Sequence, residues 1–269
     1  METKNHFENI GFRLRVFVRV MVQLFAMVFL VSFVGCKSGQ LQNDTDGFVQ
    51  IFDGKTLDDW EGDPVYWRVE DGKLVGEVTP ETILDRNSFI IWRGGEVDDF
   101  ELKVEYRVSR AGNSGINYRS HEIDGLPYAL MGYQADINGT GTITGSNYEE
   151  RRRTTIASQS EKTVLNRPTK NPEALSDHIE RNRWVPTEVV GSLGTSSELR
   201  SHLKKGDWNA YHLIVKGNRL KHYVNGKLMS DVTDNDQINR SEKGLLGVQV
   251  HVGPPMKIEY KNFRLKTLK

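Results

Sequence analysis

A single cysteine, Cys36, stands in this chain of 269 residues, so no internal disulfide can staple the fold and stability has to come from a packed core. Excess charge of either sign is missing too, because 36 Lys and Arg balance 36 Asp and Glu. That removes the polybasic face a phosphate-tracking protein needs, and no nucleic-acid partner is expected. The one dense basic run, Arg151-Arg152-Arg153, follows Glu149-Glu150 and reads as a solvated loop. There is no glycine-rich phosphate loop ending in Lys-Ser/Thr, no Gly-x-Ser-x-Gly elbow and no His-Glu-x-x-His helix. Nucleotide hydrolysis, serine esterase chemistry and zincin proteolysis therefore lack their sequence signatures.

Long apolar runs are scarce as well. One stretch, Val20 to Gly35, follows Arg13, Arg15 and Arg19 and ends at Ser-Phe-Val-Gly-Cys36 before a polar Lys-Ser-Gly-Gln. A basic region, an apolar stretch and a small residue before cysteine form an export signal. Phe-Val-Gly-Cys resembles the bacterial lipoprotein cleavage box, with Phe33 where leucine is usual. That resemblance implies lipidation of Cys36 and anchoring to the cell envelope, on its periplasmic or outer-membrane face. The alternative is an uncleaved membrane anchor, for which the stretch is barely long enough and is interrupted by Arg19 and Gln23. Residues 1–36 are expected to be the signal peptide, 37–46 a flexible polar tether and 47–269 the folded domain.

From Gly47 onward the pattern is β. Phe100, Leu102, Val104, Tyr106 and Val108 alternate with Glu101, Lys103, Glu105 and Arg107, the period of a half-buried strand. Turn dipeptides recur at strand-length spacing: Asp53-Gly54, Asp71-Gly72, Gly94-Gly95, Gly217-Asn218 and Asn225-Gly226. The segment "YHLIVKGNRLKHYVNGKLMSDVTD" predicts three strands joined by two tight hairpin turns. Many short strands so punctuated indicate a sandwich or jelly roll. Between about Gly139 and Lys205 the regularity fails, and long loops with one short helix near Pro172 to Arg181 are expected.

The blocks "FVQIFDGKTLDDW", "YWRVEDGKLVGE", "DFELKVEYRVSRAGNSGINYRS", "GYQADI", "GDWNAYHLIVKGNRLKHYVNGK" and "GLLGVQVHVGPPMKIEYKNFRLK", in this order, resemble the bacterial 3-keto-disaccharide hydrolase domain over about residues 47 to 268. The resemblance implies an all-β, concanavalin A-like jelly roll of two curved antiparallel sheets, with a sugar-binding concave face. It also implies cleavage of glycosides already oxidised to a ketone at carbon 3. Other branches of the family carry a glutamate where Gly132 stands here, so a carboxylate at that position could not act in this protein. The Glu-x-Asp-x-x-Glu pattern of jelly-roll glucanases is absent, and a conventional two-carboxylate glycosidase has little support. A 3-ketone makes that absence intelligible. It acidifies the proton on carbon 2, so one base and a cation or donor set near the ketone oxygen suffice for elimination of the glycosidic oxygen, and water adds afterwards.

In a jelly roll one face of each strand packs inward and the other lines the groove. In "GINYRS" parity assigns Ile116 and Tyr118 to the core and Asn117 and Arg119 to the groove; in "GYQADI" it sends Gln134 and Asp136 to the groove, and Gln249 and His251 repeat the arrangement. Such planar donors and acceptors suit sugar hydroxyls. His251 or Asp136 is the expected base and Arg119 the expected enolate stabiliser, with Asn117, Gln134 and Gln249 binding substrate. Asp136 and His251 could also hold a divalent cation, as two ligands of a partial site. His222 alternates with Leu220 and Val224, so parity places it in the core, while the family block "KHYVNG" makes it a second-rank binding candidate. His121, His178, His202 and His212 read as surface residues, and Trp60, Trp67 and Trp208 as core plugs. Besides a 3-keto-glycoside hydrolase or lyase, a non-catalytic sugar-binding lipoprotein and an envelope scaffold remain as readings; the sequence leaves oligomeric state open.

Overall fold

The computed structural model describes residues 46–166 and 175–269. The predicted leader, Cys36 and all of the tether but its last residue lie outside the described residues. The domain is a two-sheet jelly-roll sandwich. Its strands are β1 (Val49–Gln50), β2 (Trp60–Glu61), β3 (Trp67–Glu70), β4 (Lys73–Val78), β5 (Ser88–Val97), β6 (Phe100–Val108), β7 (Asn113–Ile123), β8 (Leu126–Asn138), β9 (Asn147–Glu150), β10 (Thr154–Ala157), β11 (Glu161–Leu165), β12 (Thr187–Ser192), β13 (Asn209–Lys216), β14 (Arg219–Val224), β15 (Lys227–Asp234), β16 (Gly244–Val250) and β17 (Met256–Thr267). The larger sheet runs β12-β11-β15-β14-β13-β6-β17-β4-β3, with β1 added beside β17; the smaller runs β10-β9-β8-β7-β16-β5-β2. Both are antiparallel except where β11 lies parallel to β15.

Alternation decides which faces meet. On β6 every second residue is buried, as the sequence requires. Leu213, Val215, Leu220 and Val224 extend that inner face across β13 and β14, against Ile116, Tyr118, Tyr133, Ala135, Leu246 and Val248 of the smaller sheet. The predicted triple-strand segment is β13–β14–β15, paired in sequence through the Gly217-Asn218 and Asn225-Gly226 turns. The break at Ala-Gly-Asn-Ser-Gly is the crossing between sheets: β6 lies in one and β7 in the other, and Gly112 N–H closes the turn on Ser109 O at 2.9 Å.

The structure corrects the sequence reading most between Gly139 and Lys205. Four short strands, β9 to β12, occupy what was expected to be loop. They are only four to six residues long and mix polar residues with a few apolar ones, and bulges at Thr155/Ala157 and Lys162/Thr163 break the alternation, so no period shows in the sequence and the strands are held by pairing with β8 and, far along the chain, β15. The expected helix is present as α1 (Leu175–Arg181), and a second, α2 (Ser196–Ser201), starts at a Thr195/Glu198 capping box.

The arginine run is not a solvated loop either. Arg153 is buried and paired with Glu149 and with Asp234 (Nη2 to Oδ2, 2.7 Å), and Tyr133 Oη donates to the same Asp234 oxygen at 2.6 Å. This cluster ties the β9–β10 hairpin of one sheet to the end of β15 in the other. Trp60 and Trp67 are core residues as expected; Trp208 is only half-buried, under Arg107 and Lys261, and His178 is buried against Trp184.

Candidate active site

Polar residues of β8 and β9 point away from the core because their neighbours point into it. Tyr133, Ala135 and Ile137 face inward, leaving Gln134 and Asp136 on the outer face of the smaller sheet; the register sets Tyr148 opposite Gln134 and Glu150 opposite Gly132. Cross-strand partners share a face, so four side chains converge. With Asn87 and His251 they line a cleft of about 650 Å³, walled by the 142–159 segment and by residues 181–183 at the end of α1. Gly115 explains one glycine of the interrupted strand. A Cβ there would come within 2.5 Å of Gln134 Cγ, so only glycine lets that amide lie flat across β7.

Two amides join the two carboxyl groups. Gln134 Nε2 donates to Asp136 Oδ1 at 2.9 Å, and Gln249 Nε2 donates to Gln134 Oε1 at 3.1 Å while lying 3.5 Å from Glu150 Oε2. Asn87 Nδ2 holds the other Glu150 oxygen at 3.0 Å. Burial pushes the Asp136 carboxyl up to about 8, with the Glu150 charge adding to the rise and the Gln134 amide opposing it. Burial also raises Glu150, partly offset by Asn87, Arg151 and His251. The Tyr148 phenol is pushed up to about 12, first by burial and then by the two carboxyl groups. His251 Nδ1 donates to the carbonyl of Val252.

Of the residues singled out from sequence, Gln134, Asp136 and His251 come together in the cleft. Gln249 lies behind them, bracing Gln134 and Glu150. Asn117 is fully buried beside them in register with Gln134, and neither of its amide atoms has a partner. Arg119 is not a groove residue. Its φ of 46° and the bulge between Tyr118 and His121 rotate it off the outer face, and its guanidinium is spent on the carbonyls of Asp98, Gly217 and Ser241 and on the Asp99 carboxylate. The enolate-stabilising role expected of it has no structural basis.

His222 is a core residue and not a binding one. Its Nδ1 donates to Ser146 O at 3.2 Å and its Nε2 accepts from Tyr118 Oη at 2.9 Å, while Asn147 donates to that phenol. Burial holds its imidazole down at about 4. As for a cation, Asp136 and His251 line one cleft, but no group of three His, Cys, Asp or Glu among the described residues could hold a metal ion. Two such ligands do not make a metal centre.

Glu150 was the residue the sequence hid. Its signal was the alternation in "SNYEE", with Asn147 and Glu149 buried on one face and Tyr148 and Glu150 on the other, and the following arginines masked it. Glu150 sits directly across from Gly132, so the face that Gly132 leaves bare receives a carboxylate from the next strand.

Known proteins agree with this architecture. A 91-residue stretch is 38% identical to a 3-keto-disaccharide hydrolase of Bacteroides thetaiotaomicron, covering 31% of this chain and 31% of that protein, so the match spans less than a third of the relative. Two crystal structures of putative glycosyl hydrolases from Parabacteroides distasonis superpose with TM-scores of 0.51 each. They are 14% and 18% identical to the chain, covering 82% and 83% of it and 99% and 95% of themselves. At that identity the likeness speaks for the fold. The family model described as the 3-keto-alpha-glucoside-1,2-lyase-like domain matches residues 47–266, nearly the whole described chain, and the protein belongs to that family.

Proposed function

We propose that this protein cleaves 3-keto-glycosides by proton abstraction at carbon 2, elimination of the glycosidic oxygen from carbon 1, and hydration. The observation that carries the reading is the carboxyl pair bridged by Gln134 and Gln249, one member of which stays protonated at neutral pH. Two carboxyl groups joined through a hydrogen-bond bridge in one cleft can divide into an acid and a base, with Asp136 the member that burial holds protonated. Glu150, fixed by Asn87, is the base that takes the carbon-2 proton; Asp136 is the acid that donates to the developing enolate oxygen or to the departing glycosidic oxygen. His251 Nε2 accepts a hydroxyl at the mouth of the cleft. This assignment moves Asp136 from base to acid, because a carboxyl group with a pKa of about 8 is mostly protonated at pH 7.

Matched glycosides with and without prior oxidation at carbon 3 test the proposal through aglycone release, with exchange of the carbon-2 hydrogen followed in heavy water. Only the oxidised set should react. Glu150→Gln should abolish both exchange and release, whereas Asp136→Asn should slow release by about a hundredfold or more. Equal cleavage of unoxidised glycosides sinks the reaction class. Sugar-dependent thermal stabilisation without turnover selects the sugar-binding alternative. We also propose that the chain is exported and anchored through lipidated Cys36, on the sequence pattern at residues 13–40.

A further inference from the structure

A second hollow, of about 560 Å³, adjoins the cleft; Asn87, Tyr148, Glu150 and Asn182 line both. Its remaining wall differs in charge. Arg86, Arg151 and Arg152 line it, with Glu150 as its one carboxylate and Ile179 and Val252 as apolar contacts. Arg152 is anchored by Ser241 Oγ at 3.1 Å and by buried Glu149 at 3.5 Å, and Arg151 lies 3.8 Å from Glu150. Arg86 is exposed and makes no ion pair among the described residues. Arg151 and Arg152 each have a carboxylate partner, so the excess positive charge of the hollow rests on exposed Arg86, although the chain as a whole is neutral.

We propose that this hollow is a subsite for an anionic substituent, a carboxylate or sulfate ester, on the sugar next to the one that reacts. The shared walls carry the placement: a ligand bound between Tyr148 and Asn87 continues directly into the arginine-lined space. A planar guanidinium offers paired donors matched to carboxylate and sulfate oxygens, and Ile179 and Val252 meet the apolar face of a sugar ring. The proposal rests on the reading of the main cleft as a sugar site and adds its substrate class, acidic glycosides.

Calorimetric titration of the full chain tests it with three disaccharides of one backbone: neutral, uronate-bearing and sulfate-bearing. At low ionic strength the anionic ligands should bind at least tenfold tighter than the neutral one. Raising the salt should shrink that preference, because exposed charges are screened over about 10 Å at 0.1 M. Arg86→Ala should bring the three affinities to within about twofold, with Arg86→Lys restoring part of the preference and the melting temperature unchanged in both. Whichever anion binds better identifies the source of the charge. Equal affinities in the wild type, absence of binding by all three, or a preference that survives Arg86→Ala with Arg151→Ala overturns the subsite. Failure of every keto-glycoside to react while the anion preference persists refutes the proposed reaction and leaves the subsite standing; turnover of neutral keto-glycosides with no anion preference does the reverse.

Discussion

Replacing Asp136 by asparagine probes the electrostatics of the cleft with almost no change of shape, since Asn Oδ1 can still accept from Gln134 Nε2. In the unfolded chain Asp136 ionises near 3.8, and in the folded protein near 8. Below about pH 4 both states are protonated and the residue contributes nothing. Between 4 and 8 the unfolded chain releases a proton that the native protein keeps, so stability falls as pH rises, and the full penalty is present above about 8. At about 1.4 kcal/mol per pH unit, the rise from 3.8 to about 8 makes the full penalty on the order of 5 kcal/mol. Urea unfolding at pH 3 and pH 9 reads this directly. The variant should lie within about 0.5 kcal/mol of the wild type at pH 3 and exceed it by several kcal/mol at pH 9. Wild-type turnover should fall as pH passes 8, and the variant, already slow, should lack that limb. Parallel stability curves for the two proteins would refute the buried-acid assignment.

His222 supplies the opposite limb: its unfolded value near 6.5 and folded value near 4 mean that stability is lost as pH falls from about 6.5 to about 4, and His222→Gln should flatten that loss in acid unfolding while costing about 1–3 kcal/mol at pH 7 through a broken buried hydrogen bond. Arg119→Ala should destabilise by about 3 kcal/mol or more in denaturant titration, because it strips partners from three carbonyls and Asp99; its folded fraction should keep wild-type kcat, and a stable but inactive variant would return the arginine to the site. Cys36→Ser should release the chain from membranes and end labelling by a fatty-acid analogue, whereas retained membrane association would indicate an uncleaved anchor.

Legibility followed the regularity of the backbone. β6 and the β13–β15 meander could be read residue by residue, because unbroken alternation and two-residue turns leave one register. The same parity delivered Gln134 and Asp136 and left His222 in the core. It failed at Arg119, where a bulge and a left-handed residue reverse the count, a local event that composition does not announce. It failed again at Glu150, on a four-residue strand beside the sheet's edge strand. Too short to show a period, that strand exists because β8 pairs with it and Arg153 anchors its turn.

The Arg153 cluster acts as a gauge block for the cleft. The β9–β10 hairpin is the free margin of its sheet, bonded along one side only, and such a margin would otherwise swing. Glu149 reaches inward to Arg153, and Arg153 reaches Asp234 on the opposite sheet, while the residues flanking Glu149, Tyr148 and Glu150, form the outer wall. The distance from that wall to Asp136 is therefore set from inside the sandwich, by an ion pair no substrate touches. Residues on the outward positions of β9 can change in size or charge and alter what the cleft accepts, while the aperture itself stays fixed until the inward partner is changed.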